Sequence, residues 1–147
     1  MVTEIYIQTK TKNPAVQKTA QARWLIFYVS NNGQVNTRDG IVAISNATSK
    51  RAALQSLSDA LSRFNKAAVI KIYISDDFVR SCLVNGWVGW WKSNNWHKIR
   101  LNGDVMHLDL WQQISAQLAK HAVTFAKGEE LENKTLKEME WRMKNVR

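Results

Sequence analysis

The sequence predicts an α/β fold: one five-stranded mixed sheet, three antiparallel strands and then two parallel ones, flanked by helices. Three observations carry this reading. The first third of the chain holds three strand-like segments with a tight turn between the second and third. After that, segments with helical spacing alternate with short apolar runs, the pattern of strands joined in parallel by crossovers. The 147 residues fit one domain, with enough apolar content, 45%, to bury a core without disulfide staples.

Each element has its own signal. Residues 4–8 alternate and are rich in Ile and Tyr, as a short strand would be. Residues 9–21 are polar, contain the only proline (Pro14), and read as a loop. Residues 22–30 form a strong strand pattern, and Asn31-Asn32-Gly33 is a hairpin turn because Asn and Gly tolerate positive φ. Residues 35–44 return as a third strand, its alternation blurred at Asp39-Gly40. Thr48 or Ser49 can cap a helix to about Phe64, with Ala53, Leu54, Leu57, Leu61 and Phe64 at helical spacing. Residues 68–74 form a central strand, and Asp76 or Asp77 caps a second helix. A Trp-rich, Gly-dotted stretch covers 86–107. A helix at 108–121 places Leu110, Trp111, Ile114 and Leu118 on one face, a last strand covers 122–126, and a closing helix covers 129–145. Helices are expected on both faces of the sheet.

Charge narrows the function classes. The formal net charge is +9, from 21 Lys and Arg against 12 Asp and Glu. That balance favours a polyanionic partner, nucleic acid before membrane. Five of the acids, Glu129, Glu130, Glu132, Glu138 and Glu140, fall near the C-terminus, so the basic surface belongs to the body of the domain. A single cysteine, Cys82, excludes an intrachain disulfide and suggests a reducing, cytoplasmic setting. Met1 leads directly into a strand pattern, so no leader peptide is expected, and no apolar run has the length of a membrane span. Cys82 has no His close in sequence and reads as a packed thiol. His97, His107 and His121 lack metal-ligand spacing, and no Gly-rich phosphate loop is present.

The middle of the chain carries a resemblance. Ile72-Tyr73-Ile74-Ser75-Asp76-Asp77-Phe78-Val79-Arg80, then Gly86-Trp87-Val88-Gly89-Trp90-Trp91-Lys92-Ser93-Asn94-Asn95-Trp96, then Leu108-Asp109-Leu110-Trp111-Gln112 resemble successive landmarks of the type 1 ribonuclease H family. Trp87, Trp91, Lys92 and Trp96 fall in register with its Trp-x-x-x-Trp-Lys-x-x-x-Trp segment, and the stretch after Trp91 resembles the basic protrusion of bacterial-type members. Ala52-Ala53-Leu54 and Glu132-Asn133 resemble parts of its first and last helices.

The resemblance implies a ribonuclease H-like fold and an RNA–DNA hybrid as ligand. In the family, two metal ions, normally Mg²⁺, are held by four carboxylates and assist cleavage of the RNA strand. Carried over one at a time, those carboxylates fall on Gln8, Ser49, Ser75 and Lys137. None is acidic, and the family's loop histidine has no counterpart at Gly128-Glu129-Glu130. The resemblance therefore implies no catalytic residue and no metal or other cofactor, with Mg or Mn relevant only if residual nuclease activity exists. By resemblance the Trp87–Arg100 region, with Trp87, Trp91, Lys92, Trp96, Lys98 and Arg100, is the binding equipment; Trp90, Asn46 ahead of the first helix, and Lys10 and Lys12 in the first loop are further candidates, a solvated loop being the equal alternative for the two lysines. Aromatic faces stack on sugars or bases while cations neutralise phosphates. Trp91 and Trp111 also suit a core role, whereas Trp90 is extra to the family pattern and better placed for an exposed contact. The leading expectation is a non-catalytic binder of RNA–DNA hybrid or duplex RNA. The alternatives are a protein-interaction or tethering scaffold with an incidental basic surface, and a residual metal-dependent hybrid endoribonuclease.

Overall fold

The structure, a computed structural model, describes residues 2–11, 13–93, 95–96 and 107–126. Five strands form one sheet in the order β3-β2-β1-β4-β5. They are β1 (Val2–Thr9), β2 (Gln17–Val29), β3 (Val35–Ala47), β4 (Val69–Ile74) and β5 (Ala122–Phe125). The β1–β2 and β2–β3 pairs are antiparallel, and β1–β4 and β4–β5 are parallel, as the sequence predicts. Four helices are described: α1 (Ser49–Leu61), α2 (Asp77–Val84), α3 (Trp87–Ser93) and α4 (Leu108–Leu118).

Alternation sorts the strand side chains onto two faces. Ile5 and Ile7 of β1 and Ile70, Ile72 and Ile74 of β4 face one way, into a core shared with Leu54 and Leu57 of α1, Cys82 of α2, Val88 of α3 and Trp111 of α4. Burying each such large apolar side chain contributes roughly 1.5–3 kcal/mol. Tyr6, Leu25, Tyr73 and Ala126 form a separate cluster on the other face, where the Tyr6 and Tyr73 rings stack at 4.5 Å. All four described helices thus contribute to the first face. The closing helix expected at 129–145 lies outside the described residues.

Two helix starts offered a choice of cap, and the structure makes it. The Thr48 side chain accepts from the Arg51 amide, and the Asp76 carboxylate accepts from the Val79 amide at 2.9 Å. Helices α1 and α4 end at Leu61 and Leu118, about one turn before the positions expected.

The first loop is shorter than expected. β2 starts at Gln17, not at residue 22, and β3 runs on to Ala47. The reason is pairing: Thr19 and Ala20 sit opposite Ser45 and Ile44. Ala20 and Ala22 pack beneath Ala52, where their small side chains let α1 approach the sheet closely.

Gly40 explains the blurred alternation in β3. A Cβ added there would lie 2.6 Å from the ring of Trp24, which is 2% exposed and has the Arg63 guanidinium over its face. A ring held on both sides cannot yield, so Gly40→Ala should destabilise the protein by about 1–3 kcal/mol, read by chemical denaturation. No loss of stability would mean that the ring moves freely.

Candidate nucleic-acid interface

The residues singled out from the first and fourth strands meet at one end of the sheet. Gln8 is the penultimate residue of β1, and Ser75 directly follows β4. The parallel pairing of Ile7 with Ile74 makes them neighbours, and alternation puts both on the Tyr6–Tyr73 face. The Ser75 amide donates to the Ile7 carbonyl at 3.0 Å, and the Ser75 hydroxyl accepts from the Thr9 amide at 3.2 Å. Both residues are buried, Gln8 at 5% and Ser75 at 9% exposure. Gln8 Oε1 has no hydrogen-bond partner among the described residues; neither does Nε of Arg23, which lies directly across from it on β2.

Ser49 opens α1 and is buried. Its hydroxyl accepts from the Gln17 side-chain amide at 2.8 Å, so its described partner is the start of β2. Asp76, the one acid adjacent to this group in sequence, is committed to capping α2. Among the described residues, no three His, Cys, Asp or Glu side chains come together where they could hold a metal ion. Lys137 lies outside the described residues.

The α1 N-terminus carries a feature that residue-by-residue reading missed. Lys50 and Arg51 occupy its first turn, where the helix dipole disfavours cations. Each has a compensating partner. Lys50 sits 4.4 Å over the Phe78 ring, and Arg51 makes a two-pronged bridge to Asp109 at 2.8 and 2.6 Å. That bridge pulls the Asp109 carboxyl down to about 2. Two cations in a helix's first turn were the available signal.

His107 stands beside this bridge, with Nδ1 3.5 Å from Arg51 and its own backbone left-handed at φ 59°. Burial, and then the Arg51 charge, push its pKa below the ordinary 6.5. The unfolded chain therefore takes up the proton first, and stability falls as pH drops below 6.5. His121 is shifted the same way, by burial and by Lys120. His107→Asn keeps a side chain that tolerates the left-handed backbone. Its melting temperature should drop less than the native protein's between pH 7.5 and 5.5; an equal drop would remove His107 as a contributor. Cys82 is buried among apolar neighbours, which push its thiol up to about 12 and leave it a packed group.

Helix α3 displays the tryptophans unequally. Trp87 and Trp91, one turn apart, are half-buried against the core, and Trp91 meets Trp111 edge-on at 5.5 Å. Trp96 also packs against the core. Trp90 points outward at 59% exposure, and Lys92 in the last turn is exposed. Lys10, just after β1, and Asn46, left-handed at φ 52° near the end of β3, are exposed as well. Lys12, Lys98 and Arg100 lie outside the described residues. No helix among those described is long and apolar enough to cross a membrane.

Comparisons with known proteins agree with this geometry. The family model for RNase H matches residues 12–129. The chain is similar to a ribonuclease H of Caldicellulosiruptor saccharolyticus, 28% identical over 94 residues, which covers 64% of each protein. Across the curated relatives it matches, the chain spans about half to 64% of their length. Among solved structures it is similar to LC9-RNase H1, a type 1 RNase H with the type 2 active-site motif. That match has a TM-score of 0.70 and 20% identity, and covers 87% of this chain and 64% of that one. It is also similar to the foamy viral protease-reverse transcriptase in complex with an RNA/DNA hybrid. There the TM-score is 0.63 and the identity 16%, with 92% of this chain and 18% of that one covered. At such identities the structural likeness shows the fold.

Proposed function

Since the chain belongs to the RNase H family, we propose that it binds a nucleic-acid duplex, RNA–DNA hybrid before duplex RNA, and holds it without metal-dependent cleavage. The observation that carries this reading is the chemistry where β1 and β4 end. The resemblance puts family carboxylates at Gln8, Ser49 and Ser75, and all three side chains are neutral. The two hydroxyls already accept hydrogen bonds within the protein. A pair of divalent cations needs anionic oxygens to offset its charge, and these donors do not fit it. Lys137, at the fourth position by the same resemblance, would oppose a cation further.

The binding side of the proposal rests on charge and exposure. Net charge is +9, and Lys10, Lys92 and Trp90 are all exposed. A fold neighbour has been solved with an RNA/DNA hybrid bound. Phosphate contacts would supply most of the affinity, and Trp90 would lie against sugar or base.

An anisotropy titration with labelled hybrid tests the reading. For about four phosphate contacts, affinity should fall roughly 100-fold between 50 and 200 mM salt. Lys92→Glu combined with Lys98→Glu should weaken binding further. In Mg²⁺ or Mn²⁺ the bound hybrid should be recovered intact. Absence of hybrid binding at low salt, or cleavage abolished by chelator, would overturn it.

A further inference from the structure

We propose that the opposite end of the sheet is a docking groove for a short acidic segment of a partner protein that also carries aliphatic or aromatic side chains. The groove, of about 1200 Å³, lies where β1, β4 and β5 begin, between the β2–β3 hairpin and the connection that follows α1. Five residue steps along β1 separate Thr3 on its lining from Gln8, roughly 16 Å at the rise of an extended chain. The groove is therefore distinct from the nucleic-acid site, and this inference goes beyond the hybrid-binding reading.

Apolar surface collects here. Among the described residues nine large hydrophobic side chains are exposed, and five of them cluster at this end of the sheet. Tyr28, Val35 and Val69 line the groove. Val2 is the register partner of Val69, and Val29 that of Val35; alternation turns these four toward the Tyr6–Tyr73 face at the rim of the groove, whereas Tyr28 turns toward the helix face with Ile26. On the groove's own side, Ile26, Tyr28 and Phe64 supply apolar surface, the kind of clustered lining that marks an interaction site.

Charge selects the occupant. Arg38, Arg63 and Lys66 line the same groove, and no Asp or Glu does so among the described residues. Arg38 and Lys66 form no ion pair among the described residues. A second hollow of about 670 Å³, on the other side of the 64–67 connection, adds Lys120. Cations around an acid-free apolar trough complement carboxylates interleaved with apolar side chains. The volume exceeds the roughly 300–1,000 Å³ usual for small-molecule sites, which favours a peptide over a metabolite. Valine faces offer no platform for base stacking, and Tyr28 is the one exposed aromatic in the lining, so single-stranded nucleic acid fits less well.

The test is anisotropy with the full chain and three fluorescein-labelled probes. These are a short peptide of Asp, Glu, Leu and Phe, the same peptide with Lys replacing each acid, and oligo-dT of similar length. The acidic peptide should bind saturably and the basic one should not. Arg38→Glu combined with Lys66→Glu should weaken it by at least about tenfold. Tyr28→Asp should weaken it independently, without touching a cation. Both variants alter exposed side chains, so melting temperature and the affinity for hybrid should stay close to native. Failure of hybrid binding alone would leave the groove standing. No saturable binding of the acidic peptide, or binding indifferent to both variants, would overturn the proposal. So would oligo-dT binding lost in the same variants, or self-association that they abolish, which would assign the groove to nucleic acid or to a second copy.

Discussion

Trp111→Ala is expected to lower stability by about 3–5 kcal/mol and to weaken hybrid binding as well. Trp111 is 1% exposed and packs beside Leu110 and Ile114 on the α4 face that meets α1. Two hydrogen bonds between Ser58 and Gln117, both 3.1 Å, hold those helices in register, so the surroundings cannot collapse to fill the cavity. Against a typical total of about 5–15 kcal/mol, this loss leaves a marginal fold. The effect on binding follows from Trp91. Helix α3 has seven residues, too few to persist without packing, and Trp91 is seated edge-on against Trp111. Removing Trp111 therefore releases the helix that carries Trp90 and Lys92. Trp111→Phe should restore most of the stability. Trp90→Ala is the contrast: its exposed side chain should change stability by less than about 0.5 kcal/mol while reducing affinity for hybrid. Denaturation and anisotropy on the same samples separate the two tryptophans. A large stability loss in Trp90→Ala, or a mild one in Trp111→Ala, would contradict the division of roles.

What was legible in the sequence followed from residues whose chemistry is local. The Ile and Tyr alternation of β1, the Asn-Gly turn with Gly33 at φ 83°, and the caps Thr48 and Asp76 all depend on near neighbours. What was hidden depends on distant partners. Residues 17–21 are polar or small and look like loop until Ser45 and Ile44 are placed opposite them. Gly40 looks like a defect in a strand until the Trp24 ring lies across it. The site shows the same division. The adjacency of Gln8 and Ser75 follows from the parallel β1–β4 pairing, which the order of elements already implied. The Gln17 amide on Ser49 and the Arg51–Asp109 bridge join segments 32 and 58 residues apart, and no local pattern announces them.

Gln8→Asp, Ser49→Glu and Ser75→Asp, made together, should convert a protein indifferent to Mn²⁺ into one stabilised by it. Gln8 and Ser75 are buried neighbours on adjacent strands, with side chains on the same face. Two carboxylates on neighbouring positions of paired strands repel strongly in a poorly solvated site, so one of them is protonated or the fold loosens. In chelator the triple variant should therefore melt below the native protein. A divalent cation removes the repulsion and binds only the folded arrangement. At about 100 times its dissociation constant it stabilises by roughly 2.7 kcal/mol, or about 5–11 °C for a chain of this size. The native protein should show no such rise, because its neutral Gln8, Ser49 and Ser75 offer the ion no charge to offset its dehydration. Scanning calorimetry of both proteins, with Mn²⁺ and with chelator, decides the matter. A Mn²⁺-dependent rise in the native protein would place a working metal site in the chain and remove the ground for reading it as a binder that does not cut.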